Sequence, residues 1–573
     1  MMTNRWINYV LSVVVTLGLI GVAIYNQPRD RQERAEFLDQ DLAELADDEV
    51  PEEVDRAPIE LRRSETGTTT AQPRLDGHGV SASHPIAVDV GMEVLDAGGN
   101  AVDAAIAVAY ALGVAEPFGS GIGGGGAVLV QPSQDDPRYY DYREIAPGSG
   151  EPPASDIGVP GFVAGMQHLH EEHGSVDVPD LIEYAARIAE DGFEVDPYLE
   201  ERLTEAAHRM PIHLLPGLFP DGSPVAAGQT LRQPEYAEAL RLLQQEGPEA
   251  MYEGELAELI TDEVSGLEMD DFEAYEVIEL DPARGSFAGY DVVSSGAPAA
   301  GPTVVQLLQI VEHLDIADLD VASADGIHAL AQAWRQANAQ RVDEIGDPTV
   351  EEIDVPELLS TSRSRELAEQ IPDETFVPVE EDGEAASLET DTTHVVVVDR
   401  EGTMVSMTNT LSNFFGSGLP VSGFFLNDQL KNFSADPDSI NFPAPHKRPR
   451  SFIAPTIVLE DAEPILGLGS PGGRRIPNIV AQVLTHWAGH GASLQDAVLA
   501  PRFHLEDQTL EVEEAPDGPT VDDLTSRGYE VTTFTPTSEY YGGVQALLVD
   551  WETGEIDGVE DTRRAGTWAF SDE

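Results

Sequence analysis

Residues 392–410 read TTHVVVVDREGTMVSMTNT. Two β-branched runs, Thr393–Val398 and Thr403–Thr408, are joined by the short polar segment Asp399–Gly402. Runs of this kind on either side of a glycine-containing turn are typical of a β-hairpin. The sequence therefore predicts a hairpin whose first strand begins at Thr392.

The segment before this hairpin has the opposite character. Residues 346–391 are acidic and contain proline, and Glu380-Glu381-Asp382-Gly383 lies close to their end. A polar segment of this composition does not bury enough apolar surface to fold by itself. We expect a flexible loop that delivers the chain to Thr392.

This layout suits a chain that cuts itself between Asp391 and Thr392. The threonine hydroxyl would attack the preceding carbonyl, and hydrolysis of the resulting ester would free an α-amine on the same residue. Such an amine has a pKa near ~8 and can serve as the base for its own hydroxyl, so no histidine or aspartate partner is required. Taken alone, however, these residues more often mark an ordinary strand start.

Upstream of the loop, the sequence predicts further helices and strands. Pro85–Leu95 has helical periodicity, and Ala101–Val114 is an alanine-rich apolar helix suited to burial. The glycine cluster Gly119–Gly126 leads into a short apolar strand, Ala127–Val130. Residues 178–345 are expected to be mostly amphipathic helices, such as Leu181–Glu190 and Tyr236–Gln245.

Two motifs in this region have a functional and an ordinary interpretation. Gly119, Gly121 and Gly124 match the dinucleotide-binding spacing, but that motif needs a strand before it and a helix after it, and here the order is reversed. His168, His170 and His173, with two glutamates, could hold a metal from one helix face, although a solvated acidic face is the commoner explanation. We expect neither a nucleotide nor a metal, and no cofactor.

The composition is strongly acidic. Asp and Glu total 105 against 31 Lys and Arg, the formal net charge is −74, and there is no cysteine. At ~1 M salt the Debye length is about 3 Å, so repulsion between surface carboxylates is largely screened. We interpret the charge as adaptation to concentrated salt in a halophilic organism. Without a basic stripe, nucleic-acid binding is disfavoured, and without cysteine, disulfides and thiolate chemistry are excluded.

The N-terminus predicts a membrane-directed segment. Ile7–Tyr25 is uncharged and would span about 28 Å as a helix, close to the ~30 Å hydrocarbon core. We favour a signal anchor over a cleaved signal peptide within residues 1–26, because no small-x-small cleavage site precedes Asn26. An acidic stalk follows at 27–72. The arginines of this stalk would by themselves favour a cytoplasmic location for the part of the chain that follows the apolar segment.

Ten segments, in order along the chain, resemble the gamma-glutamyltranspeptidase family of N-terminal-nucleophile hydrolases. The resemblance covers roughly Leu75 to Ala569 and rests on the following pieces: SASHPIAVDVGMEVLDAGGNAVDAA at 81–105, GIGGGG at 121–126, REIAP at 143–147, IGVPGFVAG at 157–165, TTHVVVVD at 392–399, NTLSNFFGSG at 409–418, FLNDQLKNF at 425–433, KRPRSFIAPTIV at 447–458, LGSPGGRRI at 468–476 and APRFH at 500–504.

The resemblance implies an α/β (α+β) fold, a four-layer αββα sandwich with helices outside two packed sheets. One catalytic domain would be assembled from a large chain, 73–391, and a small chain, 392–573, which form a heterodimer after self-cleavage. The resemblance also favours a catalytic body outside the cytoplasm. This body would be membrane-anchored, or secreted if the N-terminal segment is removed.

The resemblance also assigns roles to individual residues. Thr392 is implied to be the nucleophile and Thr410 the threonine that orients it, while the amides of Gly472 and Gly473 form the oxyanion hole. Glycine suits that role because both amides can approach the developing charge. The implied substrate-binding residues are Arg143 and Ser451 for the α-carboxylate, Gln429 and Asn432 towards the amino group, and Ser412.

Three positions depart from the family pattern. Asn432 replaces an aspartate whose charge pairs with the substrate α-ammonium, Ser412 replaces an asparagine, and Phe452 replaces the second serine of a pair. The chain between Phe433 and Lys447 is also short, which indicates a truncated lid. These changes suggest a site that tolerates glutaryl-type or poly-gamma-glutamyl chains.

We therefore expect a self-cleaving enzyme that transfers a gamma-glutamyl group from small gamma-glutamyl amides such as glutathione to water or to amino acids and peptides. The alternatives on the same fold are a glutaryl or cephalosporin-type acylase and a poly-gamma-glutamate processing enzyme. An alternative of a different class is a catalytically silent surface or binding protein.

Overall fold

The structure is a computed structural model of the chain. It describes residues 59, 61–63, 74–314, 316, 319–372, 375–376, 390–533 and 538–572. The predicted anchor Ile7–Tyr25, nearly all of the stalk and the acidic residues 377–389 lie outside the described residues. Within the described ranges, no helix is both long and apolar enough to cross a membrane.

The strands of the described chain are β1 His78–Ala82, β2 Gly125–Gln131, β3 Arg138–Asp141, β4 Phe193–Glu194, β5 Thr230–Leu231, β6 Ile278–Leu280, β7 Ala283–Phe287, β8 Tyr290–Ser294, β9 Thr390–Val398, β10 Met404–Asn413, β11 Pro420–Val421, β12 Phe424–Phe425, β13 Thr456–Glu460, β14 Glu463–Gly469, β15 Phe503–Glu506, β16 Thr509–Val512, β17 Glu530–Thr533, β18 Gln545–Val549, β19 Ile556–Gly558 and β20 Thr567–Ser571.

The α-helices are α1 Pro85–Asp96, α2 Ala101–Ala115, α3 Phe162–His173, α4 Val178–Asp191, α5 Pro197–Ala206, α6 Pro234–Glu246, α7 Glu249–Tyr252, α8 Glu255–Glu263, α9 Met269–Glu273, α10 Gly301–His313, α11 Ala324–Glu344, α12 Val355–Leu358, α13 Thr361–Glu369, α14 Ile476–Leu484, α15 Leu494–Leu499 and α16 Gly518–Arg527.

Two large sheets, antiparallel throughout, pack against each other. The first has the strand order β20-β1-β9-β10-β2-β3-β6, and the second has the order β19-β18-β14-β13-β8-β7. The central strands β9 and β10 of the first sheet lie against β14 and β18 of the second. The chain is thus mixed α/β, as the sequence predicts.

Strand β9 is buried on both faces, which explains its uninterrupted valines. Val395 and Val397 belong to a core shared with α2, whereas Val396 and Val398 belong to the core between the sheets. Side chains alternate between the two faces of a strand, so a strand covered on both sides needs apolar residues at consecutive positions. The predicted hairpin is confirmed, with β9 and β10 in antiparallel register from Met404↔Val398 onwards.

Helices cover the outer face of each sheet. The first sheet carries α1 and α2, and every residue of α2 is buried. The second sheet carries α10 and α14, whose apolar residues share a core with β13 and β14. Helix α2 begins with a capping box, because Asn100 accepts from the amides of Val102 and Asp103 while the Asp103 side chain accepts from the Asn100 amide.

The predicted helices and strands before residue 178 are confirmed, but the interpretation of 178–345 was incomplete. Strands β6, β7 and β8 lie within Ile278–Ser294, and two of them form an edge of the second sheet. Asp281-Pro282 and Gly289 interrupt this stretch, so each strand is too short to show a clear alternation of apolar and polar residues.

Candidate active site

A β-bulge places Thr410 opposite Thr392. The register pairs Asn409 with Thr393 and then Ser412 with Asp391, so β9 advances by two residues while β10 advances by three. The single residue Thr392 therefore lies opposite two residues of β10, Thr410 and Leu411. Ser412 adopts a left-handed φ of 83° in this bulge, and its amide donates to Oγ1 of Thr410 at 2.9 Å.

The glycine-rich segment before β2 packs directly against this point. A Cβ on Gly119 would lie 3.1 Å from Cγ2 of Thr393, and a Cβ on Gly124 would lie 2.4 Å from the Thr410 carbonyl oxygen. Oγ1 of Thr393 donates to Oγ of the buried Ser120 at 2.9 Å. The glycines thus allow close backbone packing around Thr392 and Thr410.

The turn that contains Gly472 and Gly473 follows directly after β14. Both glycines have positive φ, 136° and 56°, which L side chains rarely adopt. Oγ of Ser470 donates to the Pro471 carbonyl at 2.7 Å and accepts from the Gly543 amide at 3.1 Å. These two hydrogen bonds hold the turn against the segment of Gly543. The short helix Gly473–Arg475 lies against β9, the strand that contains Thr392.

Arg143, the arginine expected to bind a carboxylate, is paired with a carboxylate of the protein itself. Its side chain is fully buried, with Nε and Nη2 donating to the equally buried Asp141 and Nη1 donating to the Pro449 carbonyl at 2.8 Å. Burial opposes the guanidinium charge, but Asp141 outweighs this and raises the pKa of Arg143. Nothing in the sequence pattern marks Asp141 as the permanent partner of this arginine.

Asn441 connects the loops of Asn432 and Ser451. Its Nδ2 donates to the Asn432 carbonyl at 2.7 Å, and its Oδ1 accepts from the Arg450 amide at 2.9 Å. Ser451 is 5% exposed. The ring of Phe452 stacks under the Arg341 guanidinium, 3.9 Å from its Cζ, so its bulk is directed towards the core beside α11.

Gln429 and Glu144 are two buried polar residues on segments that approach each other, and the sequence indicated only the first of them. Gln429 is 1% exposed and Glu144 is fully buried; neither carboxyl oxygen of Glu144 nor Nε2 of Gln429 has a hydrogen-bond partner among the described residues. The segments meet at Gly158, where a Cβ would approach Cβ of Glu144 and Cδ2 of Leu430. Burial raises the pKa of Glu144 to about 8, partly offset by Arg143. REIAP contains Glu144, but its burial could not be read from the motif.

Asp428 is a further residue that sequence reasoning missed. Its Oδ1 accepts from the Asn413 amide at 3.0 Å, its Oδ2 accepts from the Lys431 ammonium at 3.2 Å, and its amide donates to the Leu411 carbonyl at 3.1 Å. It therefore joins the bulge of β10 to the segment of Gln429 and Asn432. Burial lowers the pKa of Lys431, opposed by Asp428.

The predicted site residues thus lie on β9 and β10 and on the loops near them. In the uncut chain the residues of the two strands are nearly inaccessible, since Thr392 is 3%, Thr410 4% and Ser412 5% exposed. Within the described part of the chain, no three His, Asp or Glu side chains are arranged to hold a metal ion. His173 instead contacts the Tyr140 hydroxyl at 2.8 Å.

Comparison with known proteins gives concordant results. The family described as gamma-glutamyltranspeptidase matches residues 87–571. The capsule biosynthesis protein CapD proenzyme of Bacillus anthracis is 40% identical over 497 residues, which cover 86% of this chain and 90% of that protein. The glutathione hydrolase proenzyme of Escherichia coli (strain K12) is 33% identical over 527 residues, covering 84% and 90% respectively.

The fold also matches a solved structure. The cephalosporin acylase from Bacillus halodurans superimposes with a TM-score of 0.79 at 25% identity, and the match covers 88% of this chain and 98% of the acylase.

The buried carboxyl of Glu144 predicts a specific pH dependence of stability. The folded chain holds Glu144 protonated up to a pKa of about 8, whereas an unfolded glutamate titrates near ~4.3. The folded state therefore retains more protons than the unfolded state between these values, and its stability falls as pH rises through this window, by on the order of a few kcal/mol.

Glu144→Gln should abolish that loss. In molar salt, we expect the melting temperature of the variant relative to the unsubstituted protein to increase steadily from pH 5 to pH 8. Glu151→Gln, the same change at an exposed position, is the matched control and should show no such trend. A difference between Glu144→Gln and the parent that is constant with pH would contradict the assignment.

Proposed function

The chain belongs to the gamma-glutamyltranspeptidase family, and on that premise we propose that it is a self-cleaving gamma-glutamyltransferase and hydrolase. It would take a gamma-glutamyl group from small amides such as glutathione and pass it to water, amino acids or peptides. The observation that carries this proposal is the bulge that sets Thr410 opposite Thr392, beside the Gly472-Gly473 turn.

In the proposed self-cleavage, the Thr392 hydroxyl attacks the Asp391 carbonyl carbon and forms an ester as the peptide nitrogen leaves as an amine. Water hydrolyses the ester and leaves Thr392 with a free α-amine and a free hydroxyl. The products, a large chain that ends at Asp391 and a small chain that begins at Thr392, would stay together as a heterodimer because β9 and β10 lie in the middle of the first sheet. Loss of the bond to Asp391 would also open a site that is closed in the uncut chain.

In the proposed turnover, the Thr392 amine accepts the hydroxyl proton as the oxygen attacks the substrate carbonyl. Thr410 orients the hydroxyl, and the amides of Gly472 and Gly473 donate to the developing oxyanion. A single donor of this type is typically worth ~3 kcal/mol. The leaving amine takes the proton, and water or an acceptor amine then attacks the Thr392 ester.

We propose that the substrate α-carboxylate binds to Arg143 and Ser451 in spite of the Asp141 pair. The protein uses the Nε–H of Arg143 and one N–H on each of Nη1 and Nη2. A guanidinium carries five N–H groups, so Nη1 and Nη2 each retain one donor, which matches the two oxygens of a carboxylate. Gln429 and Asn432 would face the amino group, and Ser412 would be a further substrate-binding residue.

The layering supports assignment to the N-terminal-nucleophile hydrolase fold. Two packed sheets with α1 and α2 outside one and α10 and α14 outside the other give an αββα sandwich. We propose this fold for the whole of the described chain from residue 74 onwards.

A second candidate is an acylase or capsule-polymer transferase on the same fold. It is favoured by the neutral Asn432, which offers no charge to a substrate α-ammonium, and by 40% identity to a capsule biosynthesis proenzyme. A catalytically silent surface protein is the remaining alternative. Self-cleavage at Thr392 separates that alternative from both enzymes.

The first test combines intact mass with substrate release. In molar salt, the unsubstituted chain should split before Thr392 and release p-nitroaniline from the gamma-glutamyl anilide, whereas Thr392→Ala should stay uncut and lose more than about 1,000-fold of the activity. Thr553→Ala, at an exposed turn, is the matched control. A folded, uncut and inactive parent chain would leave the surface-protein alternative.

The same assay with a glutaryl anilide separates the two enzyme candidates. Release from the glutaryl anilide alone would assign the chain to the acylase group. If both anilides are cleaved, Asn432→Asp should shift the ratio of kcat/KM values towards the gamma-glutamyl anilide by about tenfold, because a carboxylate gains a charge-assisted contact to the α-ammonium. An unchanged ratio would exclude contact between Asn432 and the amino group.

We also propose that the chain functions in concentrated salt. With a net charge of −74, surface repulsion should lower the melting temperature in dilute buffer, and screening at ~1 M salt should restore it. We expect a rise of about 10 °C or more between 0.1 M and 3 M KCl. Sucrose at equal osmolality is the control for general solvent effects, and a melting temperature independent of KCl would contradict the proposal.

We propose further that Ile7–Tyr25 anchors the protein with its catalytic body outside the cytoplasm. The length and lack of charge of this segment support the proposal. Recovery of the large and small chains together in washed membranes, and their digestion by protease added to intact cells, is the expected result. Recovery in the soluble fraction with residues 1–26 still present would contradict anchoring.

A further inference from the structure

A buried hydrogen-bonded network crosses from the first sheet to the second two residues after Thr392. His394 is fully buried, and its Nδ1 lies 2.8 Å from Oγ1 of Thr408, directly across the strand pair. Its Nε2 lies 3.4 Å from Oγ of Ser406. Oγ of Ser406 in turn accepts from the Thr456 amide at 3.2 Å and donates to the Leu468 carbonyl at 3.4 Å.

Each ring nitrogen of His394 faces one hydroxyl group, Nδ1 that of Thr408 and Nε2 that of Ser406. A hydroxyl can donate or accept, so a neutral ring protonated on either nitrogen finds both of its partners here. Burial lowers the pKa of His394 to about 3, which agrees with a neutral ring whose two nitrogens are both satisfied.

The ring also fills the space above Gly469, the last residue of β14. A Cβ built on Gly469 would lie 2.2 Å from Cε1 and 2.5 Å from Nδ1 of His394. No side chain can coexist with the ring at these distances. The ring therefore sets the separation between β9, two residues after Thr392, and β14, three residues before Gly472.

We propose that His394 is a positioning residue that fixes the distance between the Thr392 hydroxyl and the Gly472-Gly473 oxyanion turn. The inference rests on the proposed function for the identity of those two groups. His394 does not touch the reacting atoms; it acts through β14, whose end it holds against β9 by contact with Gly469 and by the Ser406 bond to the Leu468 carbonyl.

Steric exchange between His394 and Gly469 gives the sharpest test. Gly469→Ala adds a methyl group where the ring lies, and His394→Ala removes the ring. We expect each to lower kcat by about tenfold or more per cleaved chain, with KM changed less than about threefold, because oxyanion stabilisation is lost only in the transition state. The double variant should recover to within about threefold of the parent, since the methyl group introduced by Gly469→Ala occupies part of the space left by the ring.

Two further measurements separate positioning from loss of structure. Active chains are counted by titration of the new N-terminal threonine, so that a reduced folded fraction does not lower the calculated kcat. Phenylboronic acid, which forms a tetrahedral adduct with an active hydroxyl, should bind each single variant more weakly by the factor lost in kcat, with recovery in the double variant. The pH profile of kcat between 5 and 8 should keep its shape in His394→Gln, because the His394 ring of the unsubstituted protein is neutral throughout that range and contributes no titration to the profile.

Ser294→Ala is the matched control at the far end of the network. Oγ of Ser294 contacts Oγ1 of Thr456 at 2.9 Å and is as buried as His394, but it does not touch Gly469. We expect a lower melting temperature with kcat unchanged.

Three outcomes would overturn the positioning role: single variants with parental kcat per titrated threonine, a double variant no better than the product of the single effects, or loss of a pH limb in His394→Gln. Boronate binding needs no substrate. If the parent binds phenylboronic acid but cleaves neither anilide, the proposed substrate fails while the positioning role is still judged from the boronate affinities.

Discussion

The structure depends on the pairing of β9 with β10 inside a sandwich that covers both of their faces. Val395 and Val397 pack towards α2, and Val396 and Val398 pack towards the second sheet. Successive side chains point to opposite faces, so a slip of one residue would replace valine by valine in both cores but would move the buried His394 away from Thr408 and its other hydrogen-bond partners. The polar residues beside the four valines therefore specify the register. The same register determines where the bulge falls, and hence that Thr410 meets Thr392.

In this arrangement the polar groups of the candidate site lie at one end of the apolar core between the two sheets. Thr392 and His394 are on the same face of β9 as Val396 and Val398, and thus towards the second sheet. A buried polar group costs free energy unless it is hydrogen-bonded. The His394 network meets that requirement inside the sandwich, whereas the Glu144 carboxyl oxygens and Nε2 of Gln429 find no partner in the part of the chain that the structure describes. These two side chains lie near the candidate site, where a polar substrate could supply the missing hydrogen-bond partners.

The sequence predicts much of this fold, because its strongest signals are local: the β-branched runs of β9 and β10 and the apolar α2 each depend on neighbouring residues. Strands β6, β7 and β8 escape prediction because they are short, and β7 is an edge strand of the second sheet. The site is harder to predict, because its contacts join distant parts of the chain. The bulge at Thr410 needs the register of two strands, and β-branched residues on both sides of it give no sign of it. The burial of Glu144, the partner of Arg143 and the joining role of Asp428 likewise required the geometry.

Salt acts on the surface of this chain and on its site in different ways. The cations of the run Lys447–Arg450 are buried and directed inward: Arg448 donates to the Glu276 carbonyl, Arg450 to the Arg341 carbonyl, and Lys447 to the Ile440 carbonyl. Buried pairs are screened much less than exposed ones. Concentrated salt can therefore relax repulsion among surface carboxylates while it leaves the cationic anchors of the Ser451 loop in place. A strongly acidic chain can thus retain a site organised by arginine.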